Sequence, residues 1–294
     1  MLDFSLNNSV FLGLVTHEKS KYLNTFGHHE KFLNLLDLLN VENWSINDRD
    51  VTDAESEKIN YRIEINSIWR LFRSLIGTQY RILIKSKLRN FNLFVYHTFS
   101  GIYTVLILLC KLLLTNFNKE INKGYRVMIA RQYNISEAHI DHFYNASISK
   151  MTYSLILEDD FILYDGYPLK DSFPKILRFL DNSEFVKVLS ISESFSPSLL
   201  GFNHISSITP FENLNFYNLS TPVTNTVSAM LYKTDIFQLL LPLLKSYRKY
   251  KIIPIDHKLN MAFNELLKDQ KSNVHLLSYL SPGLFIQGSI HDNE

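Results

Sequence analysis

A single cysteine, Cys110, stands among 294 residues, so neither an intrachain disulfide nor a cysteine-based zinc site can form. Its plain role is that of a small apolar core residue in a reducing compartment. Charge of one sign is equally scarce: 30 Lys and Arg against 29 Asp and Glu leave a formal net charge of +1. No basic field of the kind that gathers nucleic acid follows from that balance, and no nucleic-acid partner is expected. Nine glycines and eight prolines form no Gly/Ser linker, low-complexity tract or internal repeat. The first twenty residues, MLDFSLNNSVFLGLVTHEKS, lack a basic stretch followed by a long apolar run and a small-residue cleavage site. They read as an unprocessed cytoplasmic start.

What the chain does contain is enough apolar material, 46% of residues, to bury a sizeable core. "SVFLGLVTH", residues 9–17, is a short run of strand formers ending in polar residues, the pattern of a buried parallel strand that opens an α/β domain. Phe32, Leu35, Leu36 and Leu39 recur at helical spacing, which predicts a helix over residues 27–40. "VENWSINDRDVTDAESEKIN" is polar throughout and reads as irregular, and "YRIEINSIWRLFRSLI" as helix. Further on the pattern predicts a helix over 135–149, a strand over 153–157, a helix at "FPKILRFL" and a strand at "FVKVLSIS". "VSAMLYKTDIFQLLLPLL" reads as strand passing into helix, "IDHKLNMAFNELLKD" as helix and "YLSPGLFIQGS" as a closing strand and loop. The expectation is one α/β domain over 1–294, a mixed sheet flanked by helices, with an apolar helical insertion at about 80–123.

Within that insertion, Leu93 to Cys110 is apolar apart from His97, Thr98, Ser100 and Thr104, about long enough to cross a bilayer. Basic residues lie on both sides: Arg81, Lys85, Lys87 and Arg89 before it, Lys119, Lys123 and Arg126 after it. That symmetry suits a helix lying in an anionic surface better than a spanning one. A crossing would also separate the first strand from the strand at 153–157, which must share a sheet. Two readings remain for Phe91 to Phe117: a helix buried between lobes, or a peripheral membrane contact at the inner face of the membrane.

The sequence "SLILEDDFILYD", residues 154–165, places Glu158, Asp159 and Asp160 side by side between apolar strand formers. Adjacent carboxylates beside a low-dielectric interior are costly unless a cation or water compensates them. Glu158 and Asp160, one residue apart, project to the same side of an extended chain and can converge on a hard divalent ion, Mg²⁺ or Mn²⁺. The alternative is a polar strand end whose acids face water or salt bridges. Ligands of open α/β sheets bind beyond the carboxyl ends of strands, where these acids fall.

The run "NISEAHIDHFYNASISKMTYSLILEDDFILYD" resembles the glycosyltransferases of the GT-A fold, especially lipopolysaccharide-type enzymes related to family 25. There, an Ala-His pair on a helix (here Ala138 and His139) leads into a strand bearing a DxD-like metal motif (here Leu155 to Asp160). The similarity continues through "PVTNTVSAMLYKTDIFQLLLPLL", "IPIDHKLN" and "FIQGSIH"; residues 41–123 match nothing in it. The resemblance implies transfer of a sugar from a nucleotide-sugar donor to a glycan or lipid-linked acceptor, in cell-surface polysaccharide or lipopolysaccharide assembly.

It further implies that Asp160 holds the metal, with Glu158 or Asp159 on the donor ribose or a metal-bound water, and that His291 is a late metal ligand unless it is an ordinary tail histidine. Thr16 and His17 fall where the nucleotide is held, and Arg131 and Asn134 where they can reach the donor. Asp256, at a helix start, is the candidate general base of an inverting transfer, with Glu193 and His257 as further options. His139 reads first as a core histidine. The motif is E-D-D rather than a strict D-x-D, which leaves open which acid meets the ion. Two other classes fit the acids: a metal-dependent phosphoryl or nucleotidyl-transfer enzyme, and a degenerate transferase serving as a membrane-associated binding protein.

Overall fold

The first strand, β1 (Val10–Thr16), is buried along its whole length, because VFLGLVT sends apolar side chains to both faces. In the computed structural model, which describes residues 9–16, 28–48, 102, 106, 119–164, 168–193, 205–219, 227–251, 253–268 and 276–288, that strand lies inside an eight-stranded mixed sheet. The sheet is built with β2 (Asn43–Asp48), β3 (Tyr153–Glu158), β5 (Val188–Ser190), β6 (Ile205–Phe211), β7 (Leu214–Leu219), β8 (Ala229–Lys233) and β9 (Leu277–Ser281), in the order β2-β1-β3-β8-β5-β9-β7-β6. β1 runs parallel to both β2 and β3, and β8 is antiparallel to both β3 and β5. β5 and β9 are parallel, and β7 and β6 complete the sheet as an antiparallel hairpin. The predicted α/β mixed sheet with flanking helices is what forms.

Alternation along the strands divides the core into two layers. Val10, Leu12 and Leu14 of β1 and Leu155 and Leu157 of β3 pack with α1 (His28–Leu39) and α3 (Leu169–Asn182). Phe11 and Val15 of β1 and Ile156 of β3 pack on the opposite face with α2 (Lys119–Ile148), α4 (Phe237–Tyr247) and α5 (Ile255–Lys268). Ala130, Ala138 and Ala146, spaced by eight, let α2 approach that face closely. Asn40, in the left-handed region at φ 51°, ends α1, where an asparagine tolerates the conformation.

Two expectations need correction. "NWSIND", expected to be irregular, is the parallel edge strand β2. Its polar side chains are satisfied by α2, Ser45 by the His142 ring (2.9 Å) and Asn47 by Asp141 (3.2 Å), so the strand needs no apolar period. Trp44 supplies its apolar anchor, edge-on to Phe32 with centroids 6.1 Å apart. The helix expected to begin near Ile135 begins instead at Lys119; Gly124, a poor helix former, lies inside its first turns and masks them in the sequence. The helix expected over residues 61–76 and nearly all of the apolar insertion lie outside the described residues. Among the described residues no helix is long and apolar enough to cross a membrane.

A small second sheet pairs β4 (Phe161–Leu163) antiparallel with β10 (Phe285–Gln287). It starts immediately after the acidic turn and is fixed by Phe161 against Phe285, T-shaped at 6.0 Å. At its end the Gly288 N–H donates to the Asp160 carbonyl oxygen at 2.7 Å. A side chain at Gly288 would meet that oxygen at 2.8 Å, so glycine permits the approach.

Candidate functional site

β1 and β3 end together. Their register pairs Val15 with Glu158, so Thr16 comes beside the turn that carries Asp159 and Asp160. The Thr16 hydroxyl donates to the Asp159 carboxylate at 3.0 Å, joining two residues 143 positions apart that the resemblance places near the donor. Asp160 is buried, and its backbone is held by Gly288.

Glu158, on the face toward α2, lies 3.2 Å from Nε2 of His139, which is fully buried. Burial above all, then the negative charges of Asp160, Asp159 and Asp256, raise the Glu158 pKa well above the usual carboxylate value. Asp256 is therefore electrostatically part of this group, although it belongs to the first turn of α5, about a hundred residues away in sequence.

His139 brings no charge to balance the acids: burial lowers its pKa from an ordinary 6.5 to about 3, only partly opposed by Asp256. Its other ring nitrogen, Nδ1, is buried without a hydrogen-bond partner among the described residues, as is the hydroxyl of Tyr232 from β8. Tyr232 also has a raised pKa, from burial first and the charge of Glu158 second.

One helical turn on, His142 is held by the Leu14 carbonyl, which accepts from its Nε2 at 3.0 Å. The protonated nitrogen is thus Nε2, and Nδ1 accepts from the Ser45 hydroxyl. Burial lowers the His142 pKa to about 4, against the opposing effect of that backbone bond.

These shifts set a pH dependence. Each histidine has a folded pKa below its unfolded one, so its contribution to stability is intact above about pH 6.5 and is lost as pH falls toward 4 and then 3. Glu158 acts in the opposite sense, with a contribution present in acid and lost as pH rises through its raised folded pKa. Urea midpoints measured from pH 4 to 8 should therefore fall steeply below 6.5 in the wild type. The fall should be shallower in His142→Gln, and Glu158→Gln should gain on the wild type as pH rises. A wild-type profile flat between 6.5 and 4 would contradict the assignment.

The other anticipated residues are distributed as follows. Asn134 is half-buried and Arg131 exposed, both on α2 and N-terminal to His139. His257 is half-buried beside Asp256. Glu193 follows β5 and accepts a hydrogen bond from the Gly283 N–H, while its own N–H donates to the Phe285 carbonyl at 2.7 Å. That carboxylate clamps the turn before β10, and its charge is not among those acting on Glu158. His17 and His291 lie outside the described residues, His291 three positions beyond the anchored Gly288. Sequence reasoning passed over the pairing of His139 with Glu158. The signal for it was the spacing His139-x-x-His142, which turns both rings toward the sheet.

As donors, Glu158, Asp159, Asp160 and Asp256 offer only oxygen, the choice of a hard cation such as Mg²⁺ or Mn²⁺. Their mutual repulsion, which disfavours ionised Glu158, is the penalty that such a cation relieves. The chemistry of the set thus fits the ion, while among the described residues no three His, Cys, Asp or Glu are already gathered in metal-binding geometry. No protein-family model matches the chain, and no curated protein matches it.

Proposed function

We propose that the chain is a GT-A-like, metal-dependent glycosyltransferase that moves a sugar from a nucleotide-sugar donor to a glycan or lipid-linked acceptor with inversion. One observation carries the reading: Thr16, Glu158, Asp159 and Asp160 lie together at the carboxyl ends of the parallel strands β1 and β3, and the charge of Asp256 on α5 reaches Glu158. The antiparallel β8 beside β3 gives the sheet the mixed order expected of that fold.

Asp160 and Glu158 would hold Mn²⁺ or Mg²⁺, whose chemistry when bound is to neutralise the charge growing on the departing diphosphate. Thr16 fixes the Asp159 carboxylate toward the nucleotide. His139, neutral and buried, fixes Glu158 from behind. Asp256 takes the proton from the acceptor hydroxyl as its oxygen bonds to the anomeric carbon and the bond to the diphosphate breaks. Gly288, three positions before the proposed late ligand His291, is itself bonded to the Asp160 carbonyl of the acidic turn.

The test is a thermal-shift screen of nucleotide sugars with and without Mn²⁺. A matching donor at about 100 times its Kd should raise Tm by roughly 5 °C or more, and only with the metal present. A screen in which no nucleotide or nucleotide sugar shifts Tm with either metal would remove the proposal.

A further inference from the structure

The described surface carries a second feature, on the outer side of α2 and α4, that the sugar-transfer reading does not use. From Ile236 to Lys251 the chain has no acidic residue and four basic ones, Lys245, Arg248, Lys249 and Lys251, in a protein whose whole net charge is +1. The two helices run antiparallel: Lys245 sits over the Tyr144 ring at 5.8 Å, Arg248 pairs with Glu137 at 3.0 Å, and Lys251 sits over Tyr133 at 5.7 Å. Lys249 lies 5.3 Å over Tyr250. The tyrosines hold the ammonium groups in place at little entropic cost, and Glu137 neutralises only Arg248. At the other end of the same helix pair stand exposed apolar side chains, Ile148 (60%) and Leu239 (53%), with Tyr144 (51%) between them and the lysines.

We infer that this face docks on an anionic lipid bilayer. The charge pattern alone would suit any polyanion. A nucleic acid, however, would leave Ile148 and Leu239 in water, whereas the interfacial zone of a bilayer accepts aliphatic and tyrosine side chains while its phosphates meet the lysines. The residues are distinct from the apolar stretch 91–117, and docking requires neither donor nor metal, so success or failure here is independent of the sugar-transfer reading.

Sedimentation of the full chain with vesicles tests it. Binding is expected to phosphatidylcholine vesicles containing about 30 mol% phosphatidylglycerol, on the order of the anionic content that polybasic segments read, and not to phosphatidylcholine alone. Lys245→Glu/Lys249→Glu should weaken it by roughly tenfold or more, and Ile148→Ser/Leu239→Ser should weaken it independently. All four positions are exposed, and an unchanged circular dichroism spectrum and Tm establish that the variants fold. Equal binding to both vesicle types, or none, would overturn the inference. So would wild-type binding by the charge-reversed variant, which would assign attachment to other parts of the chain. Competition by a short RNA together with an unaffected Ile148→Ser/Leu239→Ser variant would overturn it in favour of a nucleic-acid surface.

Discussion

Asp160→Asn should abolish metal-stimulated turnover of the sugar nucleotide, by about a thousandfold or more in kcat, while leaving the protein folded. In the proposed sugar transfer Asp160 is a charged ligand to the cation that neutralises the leaving diphosphate, and the size of the effect follows from removing it, the kind of electrostatic contribution that dominates such barriers. Retention of the fold follows from the contact that anchors this residue: the Gly288 N–H reaches the backbone oxygen of Asp160, which asparagine retains. The substitution also removes a negative charge that disfavours ionised Glu158. The Tm without metal should therefore stay within a few degrees of wild type, and the Mn²⁺-dependent rise should vanish. Glu158→Gln should be less severe in activity, since the neighbouring aspartates remain as oxygen donors. Turnover by Asp160→Asn within about tenfold of wild type would show that the acidic turn does not hold the cation.

Strong local patterns were the legible part of this fold. β1 and β3 announce themselves as apolar runs ended by polar residues, and α1, α3 and α5 as helices with one apolar stripe. The hairpin of β6 and β7 carries no such sign: Glu212 and Asn213 both have positive φ, 48° and 70°, as a tight hairpin turn requires, but Glu is not a residue that announces that conformation. Its strands mix Ser, Thr and Asn with apolar residues because Asn218 is bonded to Ser207, Thr209 and Ser278, which masks the alternation.

The acidic turn was visible as a motif, and so was Thr16. That Thr16 would meet Asp159, and that the charge of Asp256 would reach Glu158, depends on strand register and on the packing of α5, properties of the assembled sheet rather than of any local window. Glu193 illustrates the converse. A carboxylate just after a strand reads as a candidate base, yet what decides its role is the Gly283 N–H arriving from ninety residues away.

Gly13→Ala should be strongly destabilising. Gly13 lies in the middle of β1, where a Cβ would sit 2.8 Å from Nδ1 of His142, 2.9 Å from its Cγ and 2.9 Å from Cδ1 of Ile156. His142 cannot move aside freely, because the Leu14 carbonyl and the Ser45 hydroxyl hold its two nitrogens. Displacing it combines overpacking, about 1 to 3 kcal/mol, with a buried polar group left unsatisfied, about 1 to 3 kcal/mol. Tm should then fall by about 3 to 10 °C for a chain of this size.

The mechanism makes a sharper demand than the loss itself. His142→Ala vacates the space that the added methyl group needs, so the double variant should be more stable than the sum of the single losses predicts, by about 1 kcal/mol or more in a double-mutant cycle. Additive losses would place the strain elsewhere. Because Thr16 is three positions along the same strand and bonded to Asp159, Gly13→Ala should also weaken donor-dependent Tm shifts at temperatures where it is still folded. The double variant should regain part of that response, since it relieves the crowding against β1.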